Sequence, residues 1–174
     1  MKFAFMAQTN YQLINMIKFV YFNCENAKGN SVLFIRETLV KGIKKIDLLK
    51  EMGLFCAIYV YREKVNSQNI LLRKASTVLD ILNKKAFGHL LIDQMAVNEK
   101  FDVLIVPSVS LESQMFWLYF EHDWVYLIED GLGSTTGNIV KDGMRKGRQY
   151  LSNKLYGNFS VDKMYVNNMK FNDS

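Results

Sequence analysis

Proline is almost missing from this chain: its 174 residues hold one, Pro107. No segment is rich in proline and serine either, which argues against long disordered linkers. Cysteine is nearly as scarce. Cys24 and Cys56 stand too far apart in sequence to form a metal-ligand motif, and two cysteines make no disulfide framework. A reducing cytoplasm is therefore the expected compartment. No run approaches the roughly 18–20 apolar residues of a membrane span. The apolar opening Met1–Ala7 is too short for a secretory signal, because Gln8-Thr9-Asn10 follows at once. A G-x-G-x-x-G loop is also lacking, so no nicotinamide or flavin dinucleotide is expected, and no other cofactor is indicated.

What is present suits one soluble globular domain. Apolar residues make up 49% and charged residues 22%, enough to bury a core without staples. The domain is expected over residues 1–166, with Asn167–Ser174 a polar tail or a truncated linker. The net charge of +5 gathers at Lys41–Lys50, Arg73–Lys85 and Lys141–Lys154. Solvated helix faces account for these clusters; an anionic membrane surface or an acidic glycan is the alternative partner. Nucleic acid is not expected, because no motif interleaves basic and aromatic residues. Composition leaves the oligomeric state open.

Short apolar runs alternate with segments of helical period. Strands are expected at Lys2–Ala7, Ser31–Arg36, Cys56–Tyr61, Asp102–Val106, Trp124–Ile128 and Asp162–Val166. Pro107 ends the fourth. Helices are expected from Tyr11 to about Cys24, with Leu13, Met16, Ile17, Val20 and Tyr21 on one face, and over Val40–Met52, with Gly53 as a C-cap. A long helix from Gln68 to about Phe87 would turn Leu71, Leu72, Ala75, Val78, Leu79 and Leu82 inward, and Gly88 would break it. Further helices are expected at His89–Asn98, Leu111–Phe120 and Asp142–Tyr156, the last stopped by Gly157. Near-continuous apolar strands separated by helices predict an α/β fold, a mostly parallel Rossmann-like sheet with helices on both faces.

In such a sheet, ligands bind beyond the carboxyl ends of the strands. Three loops fall there. In the first, Thr9 or Asn10 can cap the following helix, whose free N–H groups favour an anion; Thr9, Asn10 and Gln12 are the candidate contacts. In the second, Ser110 can cap a helix with Glu112 in its first turn, while Ser108 and Ser110 can hydrogen-bond sugar hydroxyls. The third is Glu129-Asp130-Gly131-Leu132-Gly133-Ser134. Two carboxylates close a buried strand, and the glycines let a backbone approach a ligand closely. Mutual repulsion and burial would raise one carboxyl, as a general base for a hydroxyl requires. A calcium site or a plain turn is the competing reading. Metal ligation of the Asp-x-Asp kind is not expected, because the acids are adjacent. His89 is expected to face solvent or cap a helix. His122 is placed in a turn before the fifth strand, at the wrong end for catalysis. Phe116, Trp117, Tyr119, Phe120 and Trp124 are expected mainly in the core.

The segment Ile128-Glu129-Asp130-Gly131-Leu132-Gly133-Ser134 resembles the acidic motif of bacterial sialyltransferases, and its Leu-Gly-Ser extension resembles glycosyltransferase family 52, the lipooligosaccharide and capsule group. The segment Thr9-Asn10-Tyr11-Gln12-Leu13-Ile14-Asn15 is similar to that family's T-P-Y-Q-L-x-N opening, with Asn10 in place of proline. The resemblance implies the amino-terminal domain of a GT-B enzyme, in which a carboxylate of Glu129 or Asp130 deprotonates a surface-glycan acceptor and Gly131, Gly133 and Ser134 line the acceptor site. It implies work in the cytoplasm, with peripheral contact at the inner face of the membrane. The family's second domain holds the CMP-sugar donor with a His-Pro motif. Here His89 precedes Leu90 and His122 precedes Asp123, so the donor half is expected outside this chain, and the chain alone is expected to be inactive. A non-catalytic α/β domain that binds a glycan or an acidic partner is the alternative.

Overall fold

A computed structural model of the chain describes residues 1–23, 29–40, 45–64, 68–92, 99–108 and 110–128, together with 154 and 163–165. The strands are β1 (Phe3–Ala7), β2 (Ser31–Arg36), β3 (Ala57–Tyr61), β4 (Lys100–Val106), β5 (Glu121–Ile128) and β6 (Lys163–Tyr165). They form one sheet in the order β3-β2-β1-β4-β5-β6, and each neighbouring pair is parallel. This is the strand order of a doubly wound, Rossmann-like α/β fold. The expected strands are all present, within a few residues of their expected ends.

The sheet is covered on both faces, which explains why β1 has no polar position. All five of its residues are buried. Phe3, Phe5 and Ala7 enter one core with Leu13, Met16, Phe19 and Val20 of α1 (Asn10–Asn23). Ala4 and Met6 enter the other, an aromatic core built around Phe34, Phe87, Phe101, Phe116 and Phe120. There Phe34 and Phe116 meet edge to face with centroids 5.2 Å apart, and Phe116 meets Phe120 at 5.0 Å. The second core is covered by α5 (Leu111–Tyr119) and a 3₁₀ helix at Ala86–Leu90.

Several local expectations need correction. Tyr21 does not join the buried face of α1; it is exposed, and Phe19 is buried instead. The helix expected over Val40–Met52 is two pieces, α2 (Glu37–Val40) and α3 (Lys45–Glu51), with 41–44 outside the described residues. Gly53 does close α3, at φ +63°. The long helix stops early: α4 runs only from Ile70 to Leu82, where Asn83 caps it by donating its N–H to the Leu79 carbonyl at 3.0 Å. Gly88 is no helix breaker. It lies inside the 3₁₀ helix, where a Cβ would stand 2.7 Å from Cε2 of Tyr119, so its job is close packing. The expected helix His89–Asn98 is also absent as far as Ile92. Leu90 ends the 3₁₀ turn, Leu91 bridges antiparallel to Tyr61, and 93–98 lie outside the described residues.

The face of α4 is reversed. Leu71, Leu72, Val78, Leu79 and Leu82 are exposed, as is Ala75, while only Thr77 and Ile81 are buried. Trp124, expected in the core, is 51% exposed. His122 lies within β5 and not in a turn; its Nδ1 stands 2.8 Å from the Phe120 carbonyl, at the amino end of the strand. The helix expected at Asp142–Tyr156, its stop Gly157 and the tail 167–174 lie outside the described residues, apart from Lys154. Among the described residues no helix is long and apolar enough to cross a membrane.

Candidate functional site

β1 and β4 are neighbours, but the chain leaves them towards opposite faces. After β1 it enters α1 over the Phe5 core; after β4 it enters α5 over the Phe34 core. The two departing loops therefore part at the carboxyl edge, which makes this the topological switch point, the place whose crevice takes the ligand in open α/β sheets. Gln8-Thr9 forms one lip, and Pro107, Ser108 and Ser110 form the other. They are joined across the crevice by Gln8, whose Nε2 donates to Ser110 Oγ at 3.0 Å.

Each lip opens a helix, and the helix start fixes its side chains. On the first, Thr9 and Gln12 form a reciprocal capping box. Gln12 N–H donates to Thr9 Oγ1 at 3.3 Å, and Thr9 N–H donates to Gln12 Oε1 at 3.1 Å. The same Oε1 accepts Gln8 N–H at 2.9 Å. The cap is thus Thr9 rather than Asn10. Gln12 is buried and spent on the backbone, so it serves the site by holding the loop; Thr9 and Asn10 are exposed at the mouth. On the second lip, Ser110 caps α5 by accepting from Ser113 N–H at 3.1 Å, and its Oγ also lies 2.9 Å from Ser113 Oγ. Ser108 is half-buried on the same lip.

Behind the lips lies a buried polar network that the sequence reading missed. Arg36 ends β2 and Tyr61 ends β3, both on the same edge. Arg36 Nη2 donates to Glu112 in the first turn of α5, and its Nη1 lies 3.4 Å from Glu63 Oε1. The Arg36 and Glu112 side chains are only 17% and 11% exposed. Glu112 Oε1 also accepts Lys64 N–H at 3.4 Å. Burial by itself would lower the Arg36 guanidinium, but the charge and hydrogen bond of Glu112 outweigh it and hold Arg36 above its ordinary value. The Tyr61 hydroxyl is fully buried and donates to the Ala7 carbonyl at 3.5 Å. Burial, then the nearby charge of Glu112, pushes that phenol far above the usual tyrosine range. The signal was available: a charged residue that closes an apolar strand, as in Ser-Val-Leu-Phe-Ile-Arg, needs a partner at the strand end.

The structure thus brings Thr9, Asn10, Gln12, Ser108 and Ser110 to one crevice. Glu129, Asp130, Gly131, Gly133 and Ser134 lie outside the described residues, although Ile128 just before them ends β5 at the same edge. Among the described residues no three histidine, cysteine or acidic side chains gather as a metal centre. The fold and its switch-point crevice define the chain as a Rossmann-like α/β protein. Comparison with protein-family models, with curated proteins and with solved structures finds no match for this chain.

Proposed function

We propose that this chain is the acceptor-side domain of an inverting, sialyltransferase-like glycosyltransferase. The observation that carries the reading is the switch-point crevice. Its lips offer hydroxyl and amide groups from Thr9, Asn10 and Ser108, the chemistry that grips sugar hydroxyls, while Ser110, held by Gln8 and Ser113, joins the two lips; Ile128 ends β5 at the same edge, just before the acidic segment. The resemblance of that segment and of the Thr9–Asn15 opening to family 52 enzymes supports the same assignment.

In the proposed reaction, a carboxylate of Glu129 or Asp130 takes the proton of an acceptor hydroxyl. The hydroxyl oxygen forms a bond to the anomeric carbon of a CMP-activated sugar from the opposite side. The bond from that carbon to the phosphate oxygen breaks, and CMP leaves with the electron pair. A second domain would hold the CMP-sugar. The acceptor would be a capsular or lipooligosaccharide glycan at the inner face of the membrane.

A glycan array probed with the chain, and calorimetry with CMP, test this proposal. Surface-type oligosaccharides should bind, with affinity reduced in Asn10→Ala, while CMP should not bind tightly. Glycan binding without transfer, even with the neighbouring domain present, would leave a non-catalytic glycan-binding domain. Micromolar CMP binding to this chain, or no glycan binding at all, would remove the acceptor-side assignment.

A further inference from the structure

The outward surface of α4 is built against the usual rule. At about 100° per residue, Leu71, Leu72, Ala75, Val78, Leu79 and Leu82 share one arc of roughly 120°. All six are exposed: Leu71 is 75% exposed and Leu79 65%. No charged residue falls within the arc. Ile70, 58% exposed, extends the apolar surface at the start of the helix. Away from the arc, Thr77 and Ile81 are buried and anchor the helix, and Asp80 is paired with Lys64. The helix cannot simply roll over, because that would bury its flanking charges and expose Ile81. A contiguous apolar face of this size marks an interaction surface.

The charge around it selects the partner. Lys74 lies on the flank beside Val78, and Lys85 follows the end of the helix; both are exposed. The single acid of α4, Asp80, is already held by Lys64. A second copy docked about a two-fold axis would bring this apolar face together with like charges, without a free carboxylate on α4 to offset them. A bilayer with anionic headgroups meets both needs: the leucines enter the acyl boundary, and the lysines reach the headgroups on their flexible stems. We infer that α4 is the surface by which this domain docks, as a peripheral protein, on an anionic lipid bilayer. The inference stands on α4 alone and does not depend on what the crevice binds.

Co-sedimentation of the full chain with phosphatidylcholine vesicles, with and without 30 mol % phosphatidylglycerol (about one lipid in three, an ordinary anionic surface), tests it. Binding should require the anionic lipid and weaken as salt rises. Leu71→Ser/Leu79→Ser should lower partitioning roughly tenfold or more. Each of Lys74→Gln and Lys85→Gln should lower it about fivefold. Far-ultraviolet circular dichroism and light scattering on the same samples check folding and mass. Failure of the wild-type chain to bind anionic vesicles overturns the proposal. So does a wild-type dimer that the leucine variant dissociates, which would give the face to a second copy. A leucine variant that unfolds while the wild type ignores vesicles would instead show that the chain covers this face itself.

Discussion

Arg36 shows how one residue can organise an edge. It closes β2 with a charge where the strand has been apolar, and it reaches Glu112 on α5 and Glu63 in the loop after β3. Removing one partner of a mostly buried pair leaves the other uncompensated. Glu112→Leu should therefore cost about 3 kcal/mol in denaturant unfolding, and Arg36→Met a similar amount. The double variant should recover much of the loss, since an apolar pair of similar volume replaces the ions. Equal and additive losses would show that the two side chains act separately. Tyr61, buried behind the same pair, gives a pH signature. Its phenol ionises far higher in the folded chain than the ordinary value of about 10. Below that value both states hold the proton, and the contribution to stability is complete. As pH rises further, the unfolded chain loses its proton first, so stability falls. Tyr61→Phe should flatten the alkaline limb of the stability profile above about pH 10. An unchanged alkaline slope in that variant would mean that other groups set it.

At the scale of the element, the helix starts were the most legible feature. Thr9-Asn10-Tyr11-Gln12 and Ser110-Leu111-Glu112 announce caps, and the structure uses both. The parallel strands were legible for a related reason: a strand covered on both faces must be apolar throughout, as β1 and most of β4 are. What could not be read was which way an amphipathic helix faces. The period of α4 correctly grouped Leu71, Leu72, Ala75, Val78, Leu79 and Leu82, but period carries no information about where the core lies. Only the packing of Thr77 and Ile81 on the sheet side decides it. Gly88 misled for a similar reason, because a glycine that makes room for a distant ring looks the same in sequence as one that ends a helix; the ring here belongs to Tyr119, on another helix.

At the scale of the whole molecule, the switch point gathers the candidate contacts on one edge. Thr9, Asn10, Ser108 and Ser110 meet there because β1 and β4 are neighbours whose chains depart to opposite faces, and β5 ends beside them. The loops after β1 and β4 were legible as lying on a common edge; the third expected loop, from Glu129, lies outside the described residues. The Arg36–Glu112–Tyr61 network behind the lips was not legible, because its members come from separate elements that only the strand order brings together. Successive residues continuing from a strand point to opposite sides, so Glu129 and Asp130 should not share one task. One carboxylate should serve as the base, and we assign Glu129, the first acid of the motif; the other should brace the loop. Under the proposed function, in a chain joined to a CMP-sugar-binding domain, Glu129→Gln should then cut turnover by about 10²–10⁴. Acceptor and donor affinity should change far less, because proton removal acts in the transition state. Asp130→Asn should mainly lower stability, read as a shift in the denaturation midpoint. If the two effects are exchanged, Asp130 is the base. If both variants keep turnover within a few-fold of wild type, neither acid is the base, and the crevice must draw its general base from elsewhere or perform no transfer.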